Sequence, residues 1–382
     1  MTADAVPTPS RILGQDRAIA TLTRSILGGH VHHAWIFHGP LGVGKRSTAI
    51  EFARLLLDPA TRTEHVERFS PARGTKVDEL VGAGTHPDLH VIAKERTETS
   101  TISSLRDKKQ TNIPVDLLRE LMLGGNVDGR QYDGAVWRTA YLGHGKVFII
   151  DEAELLDDVG QNALLKTLEE PPAGTTIILV TTREDRLLPT IRSRCQRVAF
   201  GTLDGPSMKR WMAGARTAHG LELDPASLAW IERYAEGSPG AALLAAKHGV
   251  HEWARELGGA LRDLSRGRFV GGLGERMAEL IAGCAERVVK ENDRASKEAA
   301  NRLGTRLLLG VLGQEVRDGI AAAVARGRPD EAERWGEVAD VLVETDEQIR
   351  RNLNIKQVLA LLVARWTAIG ERGPLAVAGA PA

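Results

Sequence analysis

The sequence predicts a parallel α/β domain with helices on both faces of its sheet, followed by two helical domains. Three observations predict it. Short apolar, β-branched runs alternate with stretches whose apolar residues recur at helical spacing. A glycine-rich loop joins the first such run to a helix. After Gly201 no run reads as a strand, and short capped helices take over. The 382 residues are enough for two or three domains. We draw them as a disordered lead-in over 1–9, an α/β domain over 10–201, a small helical domain over 202–249, a helical C-terminal domain over 250–370 and a disordered tail over 371–382.

The elements follow in order. Ile19, Leu22 and Ile26 place a helix over 16–27, ended by Gly28-Gly29. AWIF (34–37) is a buried parallel strand, and a helix through STAIEFARLLLD stops before Pro59. Residues 59–84 are polar, with few apolar anchors, and read as surface helix and loop. DLHVIAK (88–94) is a strand, 95–112 a polar and mobile stretch, and VDLLRELML (115–123) an amphipathic helix. The Gly-rich, polar GGNVDGRQYDG precedes the strand KVFIID (146–151). The helix NALLKTLEE (162–170) closes at Pro171-Pro172, and the strands TIILVTT (176–182) and RVAF (197–200) complete the sheet. Helices then run over 206–219, after Asp224-Pro225, and over 239–247. Gly249 marks a boundary, and 251–368 is helical.

Composition excludes several classes. Lys+Arg and Asp+Glu both number 50, which argues against a dedicated basic nucleic-acid binder, although a local basic face remains open. The two cysteines, Cys195 and Cys284, form no C-x-x-C pair, so neither a cysteine zinc site nor a disulfide scaffold is expected, and the reducing cytoplasm is the expected compartment. MTADAVPTPS lacks the apolar core of a signal peptide, and no window approaches a membrane span.

Three constellations carry chemistry. HGPLGVGKRS (38–47) meets G-x-x-x-x-G-K at Gly39, Gly44 and Lys45, with Gly42 between them. Such glycines let backbone N–H groups turn toward phosphate oxygens, and the lysine adds a point charge. The pattern then requires a hydroxyl to ligate magnesium, and Arg46 stands there with no lone pair to offer. Ser47 is one position on, turned by about 100° around the helix. The residues leave two readings open: a loop that is a relic or binds without turnover, and a competent ATPase site. Asp151 and Glu152 end a buried strand, where the first can meet magnesium and the second polarise water, although a strand-end Asp-Glu is also a common helix cap. Thr181 and Thr182 end the neighbouring strand and either sense an outer phosphate or merely close the strand. TIRSRC (190–195) holds Arg192 and Arg194, with Arg197 beyond. The cluster is either a solvated face or an arginine aimed into a neighbouring subunit.

Taken together, GQ (14–15), HAWIFHGPLGVGK (33–45), HPDL (86–89), DEAELL (151–156), NALLKTLEEPP (162–172) and LLPTIRSRCQ (187–196) resemble the clamp-loader branch of the AAA+ ATPases, the P-loop NTPases that serve bacterial DNA polymerase III. The resemblance covers about 10–245 well. The C-terminal helices match only loosely, through NLNIKQVLALLVARW (352–366).

The resemblance implies an AAA+ fold with a small helical lid and an all-α collar, working in an open ring of three to five subunits. The ring opens the sliding clamp and loads it on primed DNA. It implies motor (tau/gamma-type) and delta-type subunits as partners, with the clamp and DNA met through the assembly and no membrane involved. Residue by residue, it places Gly14 and Gln15 near an adenine, Lys45 at phosphates, Asp151 and Glu152 at the Walker B position, and Arg194 as a finger on a neighbour's ATP. Two departures stand out. Arg46 removes the magnesium hydroxyl, and in GSPGAAL (237–243) Gly240 and Ala241 replace the phosphate-sensing arginine of motor subunits. Both losses fall on one site, which points to a non-hydrolysing stator rather than the motor itself. ATP bound without hydrolysis is the most the loop is expected to hold. The resemblance also implies a four-cysteine zinc module that is missing here, so 59–84 must be held otherwise and no metal is expected. Lys166 could track a DNA backbone, or simply be solvated.

Overall fold

The computed structural model describes residues 12–106, 111–292, 295–351, 353–373 and 375. The lead-in over 1–9 and nearly all of the expected tail lie outside them. The chain divides into two compact units. The first runs through Gly220 and takes back Gly237–Gly240, and the second holds Leu221–Glu236 and the chain from Ala241 on.

In the first unit, helix α1 (Asp16–Leu27) leads to strand β1 (Ala34–His38), the glycine loop and helix α2 (Lys45–Leu57). Short helices α3 (Thr63–Glu67) and α4 (Lys76–Gly82) precede strand β2 (Leu89–Ile92). Helix α5 (Ser103–Arg106) and helix α6 (Val115–Leu118) follow. The latter runs on into a wider turn over Arg119–Leu123, closed by Gly124 N donating to Arg119 O at 2.8 Å. Strands β3 (Gly125–Val127) and β4 (Arg130–Tyr132) form a separate antiparallel hairpin. Then come β5 (Lys146–Ile150), α7 (Asp158–Glu169), β6 (Thr175–Thr181), α8 (Pro189–Arg192), β7 (Gln196–Ala199) and α9 (Gly205–Ala218).

Five strands make one parallel sheet in the order β2-β5-β6-β1-β7. The seven-residue β6 is central and wholly buried. Because successive side chains alternate, β1, β5 and β6 each feed two cores. Trp35, Phe37, Val147, Ile149, Ile178 and Val180 pack with Leu22 and Phe52 on one face. Ala34, Ile36, Phe148, Ile150, Ile177 and Leu179 pack with Leu117, Leu164 and Ile191 on the other.

Three local expectations change. Segment 59–84 is not merely a surface strip, since Val66, Phe69, Val77 and Val81 enter the first core. Its polar composition conceals a second anchor: Arg54, 4% exposed, pairs with Asp78 and with Glu51 (3.4 Å), while Arg73 reaches Glu51 (2.7 Å) and Asp78 (3.1 Å). The stretch 95–112 was expected to be mobile, yet it carries α5 and buries Ile102 and Leu105; 107–110 lie outside the described residues. The Gly-rich segment before β5 supplies the hairpin, its turn made by Asp128 (φ 51) and Gly129 (φ 81). Asp88 of HPDL fixes the loop that follows by accepting from Tyr141 N (2.6 Å) and Leu142 N (2.8 Å).

The second unit is helical. It holds α10 (Pro225–Ala235), most of α11 (Pro239–Lys247), α12 (Val250–Ser265), α13 (Leu273–Glu291), α14 (Lys297–Ala325), α15 (Pro329–Arg350) and α16 (Ile355–Glu371). Its core holds Trp335 and Trp366 edge to face at 6.0 Å, and Gly319 gives Trp335 its room. Among the described residues no strand follows β7, and no helix is long and apolar enough to cross a membrane.

Candidate functional site

The glycine loop leaves the C-terminal end of β1 and opens α2, the strand–loop–helix order that sets phosphate-binding backbone amides at a helix N-terminus. Gly39 (φ 141), Gly42 (φ 76) and Gly44 (φ 99) all take up backbone that glycine tolerates best. A Cβ on Gly39 would lie 2.2 Å from the carbonyl oxygen of Phe200. Lys45, 5% exposed, folds back into the loop and donates to Gly39 O (2.7 Å) and Pro40 O (2.6 Å). Burial pushes its ammonium down to about 8, against the pull of Glu154 and Asp151.

Gln15 braces this loop. Its Nε2 donates to Val43 O (3.0 Å) and Gly201 O (2.8 Å), and its Oε1 accepts from Gly201 N (3.3 Å). Both amide hydrogens are thus committed to backbone. Gly14 (φ 68) lets the chain pass Leu203, whose Cγ would meet a Cβ there at 2.9 Å.

Arg46 Nη1 lies 3.5 Å from Asp151 Oδ2. Burial raises the Asp151 carboxyl above its ordinary range, and Arg46 opposes that rise. Glu152 has left-handed backbone (φ 52) and pairs with Lys94 Nζ at 2.5 Å. Ser47 is half-buried on the next helical position. The threonine hydroxyls are engaged elsewhere: Thr182 Oγ1 and N donate to Glu154 Oε1 (2.5 and 3.1 Å), and Thr181 Oγ1 accepts from Arg183 N (3.0 Å). Gly240 N donates to Gly42 O (2.8 Å) and Ser238 Oγ to Leu41 O (2.8 Å).

Arg194 is at the other end of the sheet. Its guanidinium pairs with Glu169 Oε1 (2.7 Å) and donates to Thr190 O (2.9 Å). In the β1–β7 register Trp35 faces Gln196 and His38 faces Ala199. Arg194 therefore precedes the N-terminal end of β7, while the glycine loop follows the C-terminal end of β1. Five residues of extended strand, roughly 16 Å, lie between those levels. Arg197 pairs with Glu184 (3.2 Å), which also meets His38 Nδ1 (3.3 Å).

The structure thus brings together Gln15, the loop from Gly39 to Arg46, Asp151 and Gly240, and keeps Arg194 apart. Sequence reasoning missed three partners, namely Lys94, Glu154 and Glu169. A register signal existed for the first: Ile92 pairs with Ile150, so two residues on Lys94 comes beside Glu152. Among the described residues no His/Cys/Asp/Glu cluster could hold a metal ion.

A parallel sheet, a glycine loop opening a helix and an acidic strand end beside it define an α/β protein of the P-loop NTPase class. The family described as DNA polymerase III, delta subunit, matches residues 14–204, half of the sequence, and the chain belongs to it. It is 34% identical over 193 residues to DNA polymerase III subunit delta' of Pseudomonas aeruginosa, a match covering 50% of each chain. It is 32% identical over 222 residues to subunit delta' of Escherichia coli, covering 58% of this chain and 57% of that one. It is also 29% identical over 230 residues to DNA polymerase III subunit gamma/tau of Mycobacterium tuberculosis strain H37Rv, covering 60% and 35%. The matches span about half the length of the delta' relatives and about a third of the gamma/tau one.

Proposed function

We propose that the chain is a delta-prime-type clamp-loader subunit of bacterial DNA polymerase III, acting in the cytoplasm. It is a stator: its own loop does not hydrolyse ATP, and it presents Arg194 to ATP held by a neighbouring tau/gamma-type motor subunit. Its other partners are a delta-type subunit and, through the assembly, the sliding clamp and primed DNA. The observation that carries the stator reading is Arg46 beside Asp151, with a guanidinium where a hydrolytic site needs a hydroxyl and a metal. Gly240 supports it, since it lies on the loop with no side chain to reach a phosphate.

The far-edge position of Arg194 supports a role in trans. At roughly 16 Å along the strands from the level of its own loop, it is too far for one side chain to serve that loop. Its side chain is 35% exposed, so it can exchange Glu169 for a partner outside the chain. Such an arginine stabilises charge developing on a transferring phosphoryl group, an effect of about three to five powers of ten in other systems.

Similarity to gamma/tau chains, with Lys45, Asp151 and Glu152 present, favours a second reading as the motor itself. One reconstitution separates the two. A loader carrying Arg194→Ala should assemble normally and lose turnover at the adjoining site, and unchanged ATP turnover and clamp loading would sink the finger. ATP hydrolysis by the purified chain with magnesium, DNA and clamp would favour the motor.

A further inference from the structure

Both carboxylates at the end of β5 are already answered by protein cations, Asp151 by Arg46 and Glu152 by Lys94. In a magnesium-dependent phosphate loop, position 46 offers a hydroxyl lone pair and the strand-end aspartate faces the ion. Arg46 offers only donors and sets a positive charge beside that aspartate. Glu152 is held on Lys94 by a bond of 2.5 Å. These residues do not fit a magnesium ion. They do fit a phosphate: three glycines shape the loop, α2 is 13 residues long, and the Lys45 ammonium lies inside.

We propose that this loop binds a nucleoside di- or triphosphate as its metal-free anion, with the Arg46 guanidinium taking the place of magnesium between Asp151 and the outer phosphate. A guanidinium suits the task because its N–H donors form a planar fork. One edge keeps the carboxylate while another meets a phosphate oxygen in a charge-assisted bond. The Arg46 side chain is 45% exposed, so it can turn without opening the core. One positive charge replaces two, which leaves a third phosphate less well compensated. The diphosphate therefore binds at least as tightly as the triphosphate. The inference rests on reading this loop as a nucleotide site and requires no second subunit.

The test is a fluorescence titration of the full chain with N-methylanthraniloyl-ADP and -ATP, in magnesium and in EDTA. For the natural chain the dissociation constants in the two media agree within about threefold. Lys45→Ala weakens binding by about tenfold or more. Arg46→Thr restores a hydroxyl and frees Asp151, so magnesium now tightens binding by about tenfold. Arg46→Lys, which keeps the charge and loses the fork, stays metal-independent and binds more weakly. Thermal melts confirm that each variant is folded. Binding to the natural chain that is about tenfold tighter with magnesium, no binding of either nucleotide at about 1 mM, or an Arg46→Thr chain indifferent to magnesium would each overturn the proposal. Turnover by a neighbouring subunit is not read, so failure here leaves the Arg194 reading standing, and failure of the Arg194 test leaves this one.

Discussion

Gly240 lies against Gly42 so closely that neither position has room for a side chain. A Cβ on Gly240 would stand 2.6 Å from Gly42 Cα, and one on Gly42 would stand 2.8 Å from Gly240 Cα. The Gly240 amide donates to Gly42 O at 2.8 Å, so the contact is also a backbone link. The missing phosphate-sensing arginine is therefore more than a changed letter. The space such an arginine would need is filled by the phosphate loop's own backbone.

Gly240→Arg is accordingly expected to destabilise the first unit rather than restore a sensor. Overpacking of this kind costs about 1–3 kcal/mol. A lower melting temperature for Gly240→Arg, and no magnesium-ATPase activity in the Arg46→Thr/Gly240→Arg double variant, are the expected outcomes. Robust turnover by the double variant would show that the contact yields and that the site has only lost two side chains.

The segment over 59–84, for which the resemblance implies a zinc module, is held here by a charge cluster as well as by its apolar anchors. Arg54 and Glu51 are 4% and 3% exposed, and the pair ties α2 through Asp78 and Arg73 to α4. Removing one partner of a buried pair costs about 3–5 kcal/mol, because the other charge stays buried. Arg54→Ala should lower the melting temperature sharply, and EDTA should leave the natural chain's melt unchanged. Burial raises the Glu51 carboxyl above its ordinary range, so between its unfolded and folded values the native chain holds the extra proton. Its contribution to stability therefore declines as pH rises through that window and is fully present below it.

Much of this was legible from residue patterns. The strand–loop–helix order and the five parallel strands follow from short apolar runs, buried on both faces in β1, β5 and β6, that alternate with helical periodicity around a glycine-rich loop. The β3–β4 hairpin did not, because GGNVDGRQYDG offers no apolar alternation and only its glycines hint at a turn. Phe69 and Val81 looked like isolated apolar residues in a polar stretch, and only packing shows that they share one core. At the site, Arg46 and Lys45 were visible as letters, and Lys45 bonds its own loop at Gly39 and Pro40, yet the partner of Arg46, Asp151, comes from the far-off end of β5. No local pattern could pair Arg194 with Glu169, whereas Lys94 meets Glu152 only through the β2–β5 register.

The Arg194–Glu169 pair sets a modest brake on the proposed finger. The two side chains are 35% and 50% exposed, and exposed ion pairs are worth about 0–1 kcal/mol. Glu169→Gln should therefore change fold stability little. In a reconstituted loader it should lower the concentration of this subunit needed for half-maximal ATPase stimulation, by up to about fivefold. The Arg194→Ala/Glu169→Gln double variant should behave as Arg194→Ala alone. A gain that survives without Arg194 would assign Glu169 to some other contact.

Lys45 should make the proposed nucleotide binding at this loop sensitive to pH in a range where lysine is ordinarily inert. A phosphate pairs with the ammonium form, and burial brings that form's loss down from 10.5 to about 8 in the free chain. Below that pH, binding should be flat. Above it, binding must take up a proton and should weaken by up to about tenfold per pH unit. Folding responds in the opposite sense. Between about 8 and 10.5 the unfolded chain holds more protons at this lysine than the native one, so its contribution to stability grows as pH rises. Loss of binding in that window is thus not a sign of unfolding. Titrating N-methylanthraniloyl-ADP from about pH 7 to about pH 9.5, with a melt at each pH, reads both quantities. An affinity that holds steady to the upper limit would mean that the Lys45 ammonium keeps its proton in the loop, and that the carboxylates of Asp151 and Glu154 outweigh its burial.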